Sequence, residues 1–118
     1  MHGSRGTRVL IVEDEVLISM LVQEELEAAG YTIVGSFTTC LGASRWLQHD
    51  TPDYAILDFG LSDGPCTDVA VELDRRGVPF LLLTGDMVEI LPEVFRRVPQ
   101  ILKPSSLANL AAELERLR

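Results

Sequence analysis

The chain has 118 residues, of which 47% are hydrophobic, and it carries a formal net charge of −8 at pH 7. This length predicts one domain with its own core, and the hydrophobic content excludes a disordered chain. The negative charge argues against direct nucleic-acid binding, and no apolar run approaches a membrane span, so we expect a cytoplasmic protein.

The first half of the chain alternates strand and helix patterns. An apolar run at 8–12 predicts the first strand, and helical spacing over 15–29 predicts a helix that Gly30 ends. The apolar face of that helix is expected against the sheet and comprises Ile18, Leu21, Val22, Leu26 and Ala29. A second strand at 32–37 and a second helix at 39–48 follow, the latter weakened by Gly42 in its interior.

The second half continues the same alternation. Its elements are predicted, in chain order, as a strand at 54–57, a helix at 65–76, a strand at 78–83, a strand at 100–102 and a helix at 107–117. Pro65 suits the first position of its helix, and Ser105 or Ser106 is expected as the N-cap of the last helix. Pro92 interrupts the segment between the last two strands, so only a short helical stretch is predicted there, at 93–97.

Strict alternation of strands and helices is typical of an α/β fold with a doubly wound parallel sheet. We predict a five-stranded sheet of flavodoxin-like order 2-1-3-4-5 with a short or irregular fourth helix. Residues 1–7 are expected to form a flexible tail and residues 8–118 the domain. In such sheets the functional site lies at the carboxyl ends of the strands.

Polar side chains follow four of these strand ends. They are Glu13 and Asp14 after the first strand, Asp58 after the third, Thr84 after the fourth and Lys103 after the fifth. Three converging carboxylates repel one another by about 4 kcal/mol per pair at ~4 Å and an effective dielectric of ~20, so they need a counter-ion. Hard oxygen ligands suit Mg²⁺ or Mn²⁺, and a carboxylate at the centre, Asp58, is best placed to attack phosphorus. Taken singly, each residue has a simpler explanation, such as an acidic first turn, an N-cap or a plain strand end.

The runs VLIVEDE, LDFGLSDG, LLLTG and ILKP together resemble the receiver domain of bacterial response regulators, over residues 8–117. The resemblance implies a phosphorelay protein in which Asp58 accepts a phosphoryl group from a histidine kinase or a histidine phosphotransfer protein. It implies Mg²⁺ bound directly by Asp14, Asp58 and the backbone carbonyl of Gly60, and through water by Glu13. Thr84 and Lys103 would contact the phosphoryl group.

Two positions depart from the usual family pattern. Gln100 stands where many receivers carry a strand-five aromatic residue that swings inward on activation. Asp86 stands where a tyrosine often follows the TG motif in an atypical group of stand-alone proteobacterial receivers, which PFLLLTG otherwise resembles. We expect Gly60 to leave the approach to phosphorus open and Asp86 to orient or repel the hydrolytic water, and we expect residues 86–91 to form a mobile loop that responds to phosphorylation.

Three other kinds of protein share parts of this pattern. A haloacid-dehalogenase-type phosphatase needs a second aspartate two residues after the nucleophile, where this chain has Gly60. A flavin binder needs a phosphate cradle in its first loop, where the acidic run EDE would repel phosphate. A pseudo-receiver, an interaction module without phosphorylation, remains the alternative to a phosphoacceptor. In either case the resemblance implies a switch and not an enzyme that turns over a separate substrate.

Partner docking and the cysteines complete the expectations. The first helix has more apolar residues than it needs to cover the sheet; the additional ones are Val16, Leu17 and Met20. They either pack under a loop or form a docking ridge for the helix bundle of a kinase or phosphotransfer protein. The protein is expected to be a monomer or a weak dimer. Cys40 and Cys66 lack metal-ligand spacing and are expected to be free thiols in a reducing compartment.

Overall fold

The structure is a computed structural model that describes residues 6–86 and 90–117. Five parallel strands form one sheet in the order β2-β1-β3-β4-β5, as predicted. The strands are β1 (Arg8–Val12), β2 (Thr32–Phe37), β3 (Tyr54–Asp58), β4 (Phe80–Thr84) and β5 (Gln100–Leu102). The α-helices are α1 (Val16–Ala28), α2 (Cys40–Leu47), α3 (Thr67–Arg75) and α4 (Leu110–Arg116). Residues 1–5 of the predicted tail lie outside the described residues.

The sheet separates two hydrophobic cores because successive strand residues point to opposite faces. On one face, buried strand residues pack against α2 and α3; these include Leu10, Val12, Ala55, Leu57 and Leu82. On the other face, buried strand residues pack against α1 and α4; these include Val9, Ile11, Ile56, Leu81 and Leu83. The central strands β3 and β4 are therefore covered on both sides and buried along their whole length.

The first helix differs from the predicted pattern at one position. Leu21, assigned to the face against the sheet, is exposed, and that assignment was wrong. Ser19 occupies the buried position instead, and its hydroxyl lies 3.2 Å from the hydroxyl of Ser36 on β2. Gln23 donates a hydrogen bond to the same Ser19 oxygen, so a polar contact replaces part of the expected apolar one.

The third helix begins later than predicted, at Thr67, because Cys66 takes a left-handed conformation with φ 56°. Pro65 is therefore not its first residue. Cys66 forms a disulfide with Cys40, the first residue of α2, so the expectation of two free thiols was wrong. Thr39 precedes α2 and its side chain accepts a hydrogen bond from the Gly42 amide, which satisfies one open donor at the start of this short helix.

In the described part of the connection from β4 to β5, residues 85–86 and 90–99, the structure has a short 3₁₀ turn, Glu93–Phe95. Phe95 is completely buried and meets the rings of Phe59 and Phe80 edge to face, with centroids 5.6 and 6.3 Å away. Half of the predicted mobile loop at 86–91, residues 87–89, lies outside the described residues.

The last helical segment also differs at its start. A 3₁₀ turn, Leu107–Asn109, precedes α4, and Ser106 lies before that turn without a side-chain cap hydrogen bond. Ser106 is thus the N-cap residue of the turn that begins at Leu107, the position predicted for it, but its side chain does not cap; the N-cap residue of α4 itself is Asn109. Within the described parts of the chain, no helix combines the length and apolar character needed to cross a membrane.

Candidate phosphoacceptor site

Four strands deliver polar side chains to the same edge of the sheet. The strand register pairs Val12 with Leu57, Asp58 with Leu83 and Thr84 with Leu102, so β1, β3, β4 and β5 end at similar levels. Most of the site residues predicted from the sequence consequently meet around one groove of about 590 Å³. Its lining includes Asp14, Asp58, Gly60, Thr84, Asp86 and Lys103.

Three carboxylates form the acidic part of this groove. Glu13, Asp14 and Asp58 each offer an oxygen within 4.8 Å of the other two. Glu13 and Asp58 are almost completely buried, while Asp14 is more accessible to solvent. Burial raises the pKa of the Glu13 carboxyl above its usual value, and the neighbouring Asp58 carboxylate adds to that shift. This set of hard oxygen donors, open to solvent on one side, fits a divalent cation such as Mg²⁺.

Lys103 supplies the positive charge of the site. Its Nζ lies 3.2 Å from Oε1 of Glu13, 3.3 Å from Oδ1 of Asp58 and 2.8 Å from Oε2 of Glu15. Burial disfavours the charged amine, but the hydrogen bond to Glu15 and the charges of Asp58 and Glu13 outweigh it and raise the pKa of Lys103 above its usual value. The lysine therefore stays protonated and partly neutralises the carboxylates.

Glu15 was not among the predicted site residues. It belongs to the acidic run EDE, in which a site residue and an acidic helix start have the same sequence pattern. In the structure, its amide also donates to Oε2 of Glu13 at 2.9 Å, which fixes the turn after β1. Glu15 thus contacts both Glu13, through its backbone amide, and Lys103, through its side chain.

The turn after β3 orients Asp58. The Gly60 amide donates to Oδ1 of Asp58 at 3.0 Å, and a Cβ added at Gly60 would lie 3.7 Å from the same oxygen. Glycine therefore keeps the space beside the carboxylate open. Asp86 is exposed at the rim of the groove. Gln100 is partly buried at the start of β5, opposite Leu82, and does not line the groove.

Thr84 contributes a buried hydroxyl. The residue is 3% exposed, and its Oγ1 has no hydrogen-bond partner within the described ranges 6–86 and 90–117. A buried polar atom without a partner is costly, which is why such atoms in folded proteins are nearly always hydrogen-bonded. Thr84 lines the same groove as Asp58 and Lys103, so its hydroxyl is a candidate donor for a ligand bound there.

The residues predicted for partner docking lie on the solvent side of α1. The exposed fractions are 67% for Val16, 75% for Leu17 and 50% for Met20. Leu21, 47% exposed, extends the same apolar surface. The alternative, in which the three residues pack under a loop, does not hold.

Comparison with known families agrees with this site. The sequence matches the family model for the response regulator receiver domain over residues 9–115. The chain belongs to the response regulator receiver family. A search of curated proteins finds no match to this receiver domain.

Solved structures give the same result for the fold of the receiver domain. It is similar to the BeF3-activated conformation of SdrG from Pseudomonas melonis Fr1, at 37% identity and a TM-score of 0.76, covering 95% of this chain and 98% of that one. SdrG from Sphingomonas melonis Fr1 matches at 36% identity and a TM-score of 0.82, covering 98% of both chains. The receiver domain of PhyR from Erythrobacter litoralis matches at 25% identity and a TM-score of 0.82, covering 98% of this chain and 92% of that one. These neighbours confirm the resemblance to the atypical proteobacterial receivers.

Proposed function

We propose that this receiver domain accepts a phosphoryl group on Asp58 from a histidine kinase or a histidine phosphotransfer protein, and thereby acts as a switch in a phosphorelay. The observation that carries the proposal is the surrounding of Asp58. Its carboxylate is buried beside two further acids, 3.3 Å from a charged lysine, in a groove also lined by Thr84, whose hydroxyl has no hydrogen-bond partner among the residues that the structure describes. A merely structural aspartate needs neither the other acids nor the open groove.

The chemistry assigned to these residues is nucleophilic. A carboxylate oxygen of Asp58 attacks the phosphorus of a phosphohistidine, the phosphorus–nitrogen bond breaks, and the histidine leaves as the phosphoryl group moves to the aspartate. Lys103 and the Thr84 hydroxyl then contact the phosphoryl oxygens and stabilise their charge. That SdrG was solved in a BeF3-activated conformation supports the same use of this groove here.

A divalent cation belongs to this proposal. Asp14 and Asp58, with the backbone carbonyl of Gly60, would hold Mg²⁺ or Mn²⁺ directly, and Glu13 would act through water. When bound, the cation neutralises the carboxylates and the phosphoryl oxygens. Because the ligands must be deprotonated, the affinity is expected to fall at low pH.

Labelling with acetyl phosphate tests the proposal. In the presence of Mg²⁺, the parent chain should form a phosphate adduct that intact mass and a Phos-tag gel detect. Asp58→Asn should abolish the adduct, and Asp14→Asn should abolish both the adduct and metal binding. Asp74→Asn is the matched control, because Asp74 is an exposed carboxylate on α3 away from the site. If the Asp58→Asn variant is labelled at the rate of the parent chain, Asp58 is not the phosphoacceptor. If the parent chain is never labelled, the protein is a pseudo-receiver.

The exposed apolar ridge on α1, formed by Val16, Leu17 and Met20, is the proposed docking surface for the phosphoryl donor. Leu17→Ser should leave acetyl-phosphate labelling unchanged and slow phosphotransfer from a phosphorylated histidine phosphotransfer protein. Leu41→Ser is the matched control, since Leu41 is an exposed leucine on α2. Equal transfer rates for both variants would refute the ridge.

A further inference from the structure

The disulfide between Cys40 and Cys66 lies at the far end of the loop that follows Asp58. That loop runs from Phe59 to Cys66 and contains Gly60, whose amide holds the Asp58 carboxylate. Because Cys40 is the first residue of α2, the disulfide fastens the loop covalently to a neighbouring helix. The order of the loop beside Asp58 therefore depends on a bond that redox chemistry breaks.

Besides the packing of buried Leu61 in the core that also contains Ala43 and Leu47 of α2, one hydrogen-bonded link joins the same loop to α2. Both oxygens of Asp63 accept the Cys40 amide at 3.0 Å, and Oδ2 also accepts the Leu41 amide at 3.4 Å. This is a carboxylate on the open amides of a helix start, which is favourable, but Asp63 is exposed and water competes for those groups. The disulfide is therefore the stronger of the two links.

The backbone of Cys66 also depends on the disulfide. Its φ of 56° is a left-handed conformation that non-glycine residues adopt only at a cost. Such conformations persist where the surrounding structure holds them. Once the sulfur–sulfur bond is broken, Cys66 is free to leave this conformation, and the start of α3 moves with it.

The disulfide is within reach of a reductant. A groove of about 390 Å³ between α2 and α3 is lined by both cysteines, and Cys40 is partly exposed while Cys66 is nearly buried. An attacking thiolate would meet the sulfur of Cys40 first, because attack requires access to the sulfur atom.

We propose that Cys40 and Cys66 form a reversible redox modification site that sets the order of the loop from Phe59 to Cys66. A dithiol reductant attacks Sγ of Cys40, and Cys66 leaves as a thiolate and takes up a proton. The second thiol of the reductant then displaces Cys40, so two cysteine thiols and one oxidised dithiol result. The consequence for Asp58, slower phosphoryl acceptance in the reduced form, rests on the proposed phosphoacceptor function.

Hydrogen exchange in the two redox states tests the site. The protein is prepared oxidised, or reduced with dithiothreitol, and the state is verified by thiol alkylation and intact mass. Amides of residues 60–64 should exchange about tenfold faster or more after reduction, because local opening becomes easier, while β1 amides should change much less. Reoxidation with glutathione disulfide should restore slow exchange. The Cys40→Ser, Cys66→Ser double variant is the matched control and should exchange like the reduced protein with or without dithiothreitol.

Acetyl-phosphate labelling of both redox forms separates this inference from the proposed function. Faster loop exchange with slower labelling supports both. Equal loop exchange in the two states, or two free thiols in protein purified under oxidising conditions, overturns the redox site. Equal labelling rates with faster exchange overturn the effect on Asp58. Faster exchange without labelling in either state supports the redox site and removes the phosphoacceptor function.

Discussion

Replacing Lys103 by methionine removes the only side-chain cation seen in contact with the two buried acids of the described site. The lysine Nζ lies 3.2 Å from Glu13 and 3.3 Å from Asp58. At an effective dielectric of ~20, each attraction amounts to about 5 kcal/mol, and part of it offsets the cost of burying the charges. Removing one partner of a buried ion pair typically costs about 3–5 kcal/mol, since the remaining charge is left unpaired. We expect the free energy of unfolding of Lys103→Met to fall by that amount in the absence of divalent cations.

Urea unfolding in EDTA, followed by circular dichroism and the fluorescence of Trp46, measures this loss. Adding Glu13→Gln to Lys103→Met should recover most of it, because the second change removes a buried charge that has lost its partner. Arg116→Met is the control: it removes a cation from an exposed pair with Glu113, and should change the free energy of unfolding by less than about 1 kcal/mol. A Lys103→Met protein as stable as the control, or a double variant no more stable than Lys103→Met, would refute the reasoning.

Three further predictions concern the disulfide, the buried hydroxyl and the groove rim. Cys40 and Cys66 are 26 residues apart, and reducing their disulfide should lower the free energy of unfolding by about 3.5 kcal/mol, because the unfolded chain gains conformational entropy. Urea unfolding with and without reductant measures this change, and no effect of the reductant would contradict the prediction. Thr84→Val should change the free energy of unfolding by less than about 1 kcal/mol, since no hydrogen bond to Oγ1 is lost in the described structure. The same variant should bind beryllofluoride about tenfold more weakly, and equal affinity by titration would exclude a contact between Thr84 and the phosphoryl group. Asp86→Ala should lengthen the lifetime of the phosphoryl group on a Phos-tag time course, and no change or a shortening would count against a role of Asp86 in hydrolysis.

Strand positions followed closely from the sequence. The predicted bounds of β1, β2 and β5 coincide with the observed ones, because each strand gives way to polar residues at its carboxyl end. The same logic located the groove, since polar residues that directly follow buried strands surface together. Glu15 was missed because adjacent acids in one turn differ only in which way they point.

Features that depend on tertiary contacts were not predictable. The pattern of α1 counted Leu21 as a core residue because it is apolar, whereas Ser19 is buried through its contact with Ser36 on a different element. The start of α3 was placed at Pro65 because local preference favours it there, whereas the link from Cys66 to Cys40 sets the backbone. A separation of 26 residues between two cysteines carries no information about their pairing.

The burial of the central strands limits where this domain tolerates sequence change. All five residues of β3 and all five of β4 are buried, and a charged residue occurs in them only at Asp58. A polar substitution earlier in either strand would face one of the two cores and lose its hydration without gaining a partner. Substitutions tolerated in these strands are thus exchanges among apolar residues of similar volume. Residues that change the chemistry of the site can be replaced only in the turns that follow the strands.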